Sequence, residues 1–286
     1  MRIKIITSSQ FPPTMQNSFL AGLTDAGYPH FVLNPGDVVE EDGKYDDTEG
    51  TTATALYTDM TNADADISVN VIIAAGGLVS AHAANKNVKL TPFLVLVGQE
   101  PKFDMNALTY CGGVNLNMVD QNLVRHDLLV GHYNVDPKSV FLIWNSNSKM
   151  GKYEKRQWHR HGGWLDVPVN QNSEIAIGNA FTAAKNGGAK AVVVSGDPYF
   201  TAHMDALVKA ANASQLTVCY PFSAYANAPT SPAPKVSMIF GPDIEVAYRL
   251  MGRKAGVLLD NVAAGSKAPD LGLEICPTTA PIFIGG

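Results

Sequence analysis

The chain has 286 residues, 46% of them hydrophobic and 16% charged, with a formal net charge of -5. That length is too great for one small core and fits two domains of ordinary size or one large one, and the composition is that of a globular chain, not a disordered one. The acidic balance argues against a nucleic-acid face, which needs basic residues to meet phosphates, and no apolar run approaches the ~18 residues of a membrane span.

Ile3 to Thr7 reads as a short buried strand, followed by the polar loop Ser8, Ser9, Gln10. Pro12 and Pro13 open a helix through Phe19, Leu20 and Leu23 that Gly27 stops. His30 to Leu33 is expected to be the second strand, and Gly36 to Gly50, with seven acidic residues, a solvated loop. Thr51 to Ala63 predicts a helix. Val69 to Ala75 predicts the third strand, turned by Gly76-Gly77 into a helix to about Asn85. Phe93 to Val97 is the fourth strand, ending in Gly98, Gln99, Glu100 and Pro101, and Tyr110 to Asn115 a fifth, more exposed one. Strands alternating with helices predict a parallel sheet covered on both faces.

The alternation then restarts. A helix from about Met118 to His132 precedes the strand Val140 to Trp144, the strand Trp164 to Val169 and the helix Ser173 to Asn186. Ala191 to Val194 is a buried strand that runs into Ser195, Gly196, Asp197 and Pro198. One helix follows it, with Phe200, Met204, Leu207, Val208 and Ala211 on one face. Leu216 to Tyr220, a proline-rich loop to Pro234, the strand Val236 to Phe240 and a long helix from Asp243 to about Ala264 complete the pattern, with short extended pieces after Leu273. Two runs of similar size imply two doubly wound lobes.

Asp197 stands out. Pro198 suits a first helical position and Asp197 the N-cap before it, at the carboxyl end of a parallel strand, where open α/β sheets bind ligands. The expected function is capture of a small polar molecule without transforming it. A plain N-cap with no ligand is the alternative. Ser8, Ser9 and Gln10, and likewise Ala75, Gly76 and Gly77, lead from a strand into a helix, so free backbone N–H groups there suit a ligand carboxylate. Gly76-Gly77 lacks the spacing of a nucleotide fingerprint. Gln99 and Glu100 follow the fourth strand, and Trp144 and Asn145 hold the matching place in the second half. Tyr199, Tyr220, Phe222 and Tyr225 are candidates for an aromatic wall.

Other signals point away from chemistry. His159 and His161 lie two apart with no third ligand near in sequence and Lys152, Lys155, Arg156 and Arg160 around them. They read as a solvated basic helix end, not a metal site. Cys111, Cys219 and Cys276 are odd in number and widely spaced, which suits plain burial. No GxSxG, HExxH or cysteine with a nearby histidine occurs, so neither catalysis nor a cofactor is expected. A racemase or hydrolase on a two-lobed scaffold is the rival function, and a cytoplasmic ligand sensor a third.

From Ala191 to Leu273 the order of features resembles the ABC-transporter substrate-binding proteins of the type I periplasmic-binding fold, in the branch that binds amino acids. VVVSGDPYFTAHMDALVKAANASQLTVCYPFSAYA resembles that family's strand, acidic turn, helix and cleft-entering strand. FGPDIEVAYRLMGRKAGVLLDNVAAGSKAPDL resembles its late helical block, and SSQFPPTMQNSFLAGLTDAGY its opening. Gly272 departs from it, standing where a proline is expected, as does the GQEP turn at Gly98 to Pro101. The resemblance implies lobes of 1–114 plus 243–268 and 115–242 plus 269–286, a three-segment hinge and a cleft that closes on ligand. It also implies that Asp197 meets a ligand ammonium, and it implies a membrane permease as partner, a monomer and a periplasmic or extracytoplasmic location. Met1-Arg2 leads straight into IKIIT without a secretory leader, so a native Met1 start predicts the cytoplasm instead.

Overall fold

The computed structural model describes residues 1–8, 11–41, 51–101, 104–106, 108–170, 173–227 and 237–284. Two compact units emerge, one of 1–117 with 244–277 and the other of 118–243 with 278–286.

The first unit contains β1 (Ile3–Thr7), α1 (Pro13–Asp25), β2 (Val38–Glu40), α2 (Thr51–Ala65), β3 (Val71–Ala75), α3 (Leu78–Asn87), β4 (Phe93–Val97) and β5 (Tyr110–Asn115). The second runs through α4 (Met118–Tyr133), β6 (Val140–Asn145), α5 (Lys149–Gly162), β7 (Asp166–Val169), α6 (Glu174–Asn186), β8 (Ala191–Val194), α7 (Pro198–Ala202), α8 (Met204–Ser214), β9 (Thr217–Tyr220) and β10 (Ser237–Ile239). The chain returns to the first unit for α9 (Ile244–Ala263) and β11 (Leu273–Ile275), and ends in the second with β12 (Ile282–Ile284).

The sheets are ordered β11-β5-β4-β3-β1-β2 and β12-β10-β9-β8-β6-β7. Among the described residues the strand pairings are parallel except β10 with β12, and an isolated antiparallel bridge joins Pro242 to Thr278. In each sheet the strand order reverses beside the unit's first strand, between β1 and β3 and between β6 and β8. These are the doubly wound switch points, and a crevice opens outside the carboxyl ends of the strands there.

Alternation along the strands sends side chains to both faces. In the first unit Ile3, Ile5, Val71, Ile73, Leu94 and Leu96 pack with α1 and α9, while Ile6, Ile72, Ala74, Val95 and Val97 pack with α2 and α3. Two glycines allow α1 and α9 to touch along their backbones. A Cβ on Gly252 would lie 2.0 Å from the Phe19 carbonyl oxygen, and one on Gly22 2.0 Å from that of Arg249. Gly252→Ala is therefore expected to lower stability by roughly 1–3 kcal/mol, because prying apart packed helices costs more than the ~1 kcal/mol that alanine returns in helix propensity. Chemical denaturation checks this, and an unchanged midpoint would refute the close packing. The three cysteines are buried free thiols.

Four expectations are corrected. Residues 30–33 are not a strand: β2 lies at Val38–Glu40, because the pairing partners of Ile5 and Ile6 are Val38 and Val39. Phe31 and Leu33 instead pack as loop side chains against the core. β5 is buried, not exposed, because β11 covers its outer edge through Leu273 to Ile275. That pairing puts residues 269–277 in the first unit, so the boundary expected near 268 falls after Pro277. The helix after Asp197 breaks at His203, whose backbone leaves helical geometry at φ -112° and ψ 33°. Gly272 has a reason to replace proline. Its φ is +66°, which a pyrrolidine ring forbids, and its carbonyl accepts a hydrogen bond from the Gly113 N–H at 3.0 Å.

Candidate functional site

In the second unit, β6 and β8 carry their last residues to the switch point. β8 is fully apolar and buried, and Pro198 starts α7 at once, so the three residues between them form a tight polar turn. Asp197 caps α7: its Oδ1 accepts from the Tyr199 N–H at 3.0 Å and from Asn145 Nδ2 at 3.2 Å. Asn145 ends β6, is fully buried, and accepts from the Asn147 N–H at 3.0 Å. Ser148 caps α5, accepting from Gly151 N–H at 3.1 Å. Asp197 is 1% exposed. Burial pushes its carboxyl up to about 7, against the Ser148 and Asn145 side chains and the Tyr199 amide, which favour the carboxylate.

Glu154 lies beneath that turn. Also 1% exposed, it accepts from the Ser195 hydroxyl, from the Gly196 N–H at 3.2 Å and from Asn122 Nδ2 at 2.8 Å. Asn122 Oδ1 in turn accepts from Arg125, whose guanidinium is wholly buried and also donates to the Phe240 carbonyl at 3.3 Å. Burial raises the Glu154 carboxyl above its ordinary range; the Ser195 and Asn122 bonds and the Arg125 charge oppose this. Gly196 packs against Met118: a Cβ there would lie 1.9 Å from Met118 Cε, so the methionine side chain would have to shift. A charged and hydrogen-bonded scaffold thus fixes Ser195 to Asp197 from below. Sequence reasoning missed Asn122, Arg125, Glu154 and Ser195 as its members.

The matching place in the first unit is plainer. The Ser8 hydroxyl donates to the Gly76 carbonyl at 2.7 Å, and its N–H to Ala75 at 3.3 Å. Gly76 and Gly77 have φ of +90° and +109°, a region open to glycine at little cost. α3 then starts with no side-chain cap, leaving first-turn N–H groups for water or a ligand. Nearby in sequence, the Ser80 hydroxyl and Gln99 Oε1 are buried polar atoms with no hydrogen-bond partner among the described residues.

The other predicted residues divide. Glu100 is exposed and Phe222 half-buried. Trp144 turns into the core, its indole N–H donating to Asp166 Oδ2 at 2.5 Å. Tyr199 is buried, and its hydroxyl donates to the Ser173 carbonyl at 3.0 Å. Tyr220 and Tyr225 stack on each other, buried, with centroids 4.7 Å apart. Ser9 and Gln10 lie outside the described residues.

No family model and no curated protein matches this chain. Solved structures do. An ABC domain from Streptococcus pneumonia in complex with L-Trp superposes with a TM-score of 0.68 at 14% identity, over 99% of this chain and 92% of that one. A LacI family transcriptional regulator from Enterococcus faecium with bound ribose gives 0.61 at 13%, over 99% of both chains. An ABC transporter solute binding protein from Bacillus halodurans with bound myo-inositol gives 0.59 at 12%, over 99% of this chain and 94% of that one. Identities this low carry the fold alone, and that fold is the type I periplasmic-binding one.

Proposed function

We propose that the chain is a solute-binding receptor that captures a small polar ligand, an amino acid foremost, and delivers it unchanged to a membrane permease from an extracytoplasmic compartment. One observation carries this reading: each unit places a hydrogen-bonding turn at the carboxyl ends of the strands flanking its switch point, Ser8 with Gly76-Gly77 in one and Asn145 with Ser195 to Asp197 in the other. The first offers uncapped helix N–H groups to a carboxylate. The second offers a buried carboxyl to an ammonium. An α-amino acid carries both groups.

A buried carboxyl near 7 is also what a general base needs, so the test must separate binding from turnover. Purified protein is heated with L-tryptophan, branched-chain L-amino acids, ribose and myo-inositol in turn. At 100 times Kd a true ligand adds about 2.7 kcal/mol. The receptor reading expects a concentration-dependent rise in Tm with an amino acid, recovered unchanged. Product formation would establish the enzyme, and a shift with a sugar alone would move the ligand class.

A further inference from the structure

Helix α5 gathers 5 of the chain's 21 Lys and Arg against 1 of its 26 Asp and Glu. The single acid, Glu154, is buried beneath the helix with Gly151 and Trp158. At 3.6 residues per turn, Lys149, Lys152, Lys155, Arg156, His159 and Arg160 fall in one sector, about 140° wide and about 17 Å long, opposite that buried face. Lys149, Lys152, Arg156, His159 and Arg160 are exposed, and Lys155 is half-buried.

Among the described residues Lys152, Lys155, Arg156 and Arg160 have no carboxylate at ion-pair distance. Lys155 lies over the Trp144 ring at 5.8 Å and Arg156 over Tyr153 at 5.6 Å, contacts that orient the cations without cancelling them. The pairing His159 does make, to Asp166, ties the helix end to β7.

We propose that this stripe is a docking surface for an anionic membrane. Clusters of four to eight Lys or Arg on one helix face draw the protein to acidic lipid headgroups, and a straight row of cations meets a plane along its whole length. A protein partner is the weaker fit, because hot spots between proteins combine arginine with tryptophan or tyrosine anchors, and neither Tyr153 nor Trp158 of α5 is fully exposed. Here Trp144 and Trp158 are buried and Trp164 is half-buried. The exposed apolar residue beyond the helix is Leu165, at 54%, a tip suited to the headgroup boundary. Contact stays at the surface, since no helix among the described residues is long and apolar enough to cross a membrane. A net charge of -5 repels an anionic surface overall, so binding there needs a locally basic face such as this stripe.

The test is co-sedimentation with vesicles of equimolar phosphatidylglycerol and phosphatidylcholine, beside vesicles of phosphatidylcholine alone. Binding is expected to the first only, and to fade as salt rises toward 1 M, where screening acts over ~3 Å. The triple variant Lys152→Gln, Arg156→Gln, Arg160→Gln should bind about a hundredfold more weakly. A control with Lys185→Gln, Lys190→Gln and Lys209→Gln makes the same charge change elsewhere and should bind like the unaltered protein. Unchanged Tm values show that both variants fold. The proposal is overturned by no binding to the anionic vesicles, by equal binding to the neutral ones, by equal losses in the two variants, or by capture of duplex DNA or an acidic polypeptide in place of lipid. None of these outcomes touches the ligand reading, because the vesicle assay contains no solute.

Discussion

Glu154→Leu is expected to cost about 3–5 kcal/mol of stability, the range for leaving a buried charge without its counter-charge; Asn122 bridges Glu154 and Arg125. The deletion strands several groups at once. The Ser195 hydroxyl, the Gly196 N–H and Asn122 Nδ2 lose their acceptor, and Arg125 keeps a wholly buried charge with no carboxylate to answer it. Against a total of 5–15 kcal/mol for a typical domain, that loss is enough to unfold a marginal one. Arg125→Met alone should cost a similar amount for the converse reason. The informative variant carries both Glu154→Leu and Arg125→Met: with neither charge left to desolvate, it should recover much of the loss, since apolar replacement of a whole buried pair is often neutral. Urea denaturation of the four proteins gives the coupling directly. If the two single costs simply add, Glu154 and Arg125 do not compensate each other, and the scaffold under the 195–197 turn is only a set of hydrogen bonds.

That scaffold was largely hidden from the sequence, and the reason is physical. Asp197 was legible because an apolar strand, a polar turn, an N-cap residue and a first-turn proline follow one another without interruption. Gly76-Gly77 was legible because a strand leading into two glycines needs a backbone that other residues avoid. Glu154 and Arg125 offered no such local sequence. Each is one charged residue in an amphipathic helix, and only its phase marks it. Glu154 shares a face with Gly151 and Trp158, and Arg125 with Asn122 and Leu129, all buried. A charge on the apolar side of a helix was the available signal, and in α5 the surrounding cations masked it. The second strand was misplaced for a different reason. His30 to Leu33 and Val38 to Glu40 are both short runs that suit a pleated surface, and what decides between them is pairing with β1, a tertiary fact. The burial of β5 depends likewise on β11, whose register with it joins Leu273 to Gly113.

Asp197→Asn is expected to stabilise the ligand-free protein at pH 8 by up to about 4 kcal/mol, and to leave it unchanged near pH 4. The carboxyl titrates near 3.8 when solvated and near 7 when buried in the fold, and each unit of difference is worth about 1.4 kcal/mol. Its folded value is the raised one. Below the lower value both states hold the proton and nothing is lost. Between the two the unfolded chain releases its proton and the native one does not, so this group's contribution declines as pH rises to about 7 and stays low above it. Asparagine keeps the oxygen that caps Tyr199 and carries no charge to desolvate, so the difference between the two proteins should open across that window. Binding of an amino acid should run the opposite way. An ammonium needs the ionised form, so affinity should fall about tenfold for each pH unit below 7, and Asp197→Asn should remove that dependence along with roughly 2–5 kcal/mol of affinity. Calorimetric titration with whichever amino acid raises Tm, at pH 5, 6, 7 and 8, reads both effects. Equal affinities in the two proteins would leave Asp197 as the cap of α7 and move the ammonium site elsewhere. Because the stability trend and the binding trend have opposite signs, general acid denaturation cannot imitate the result.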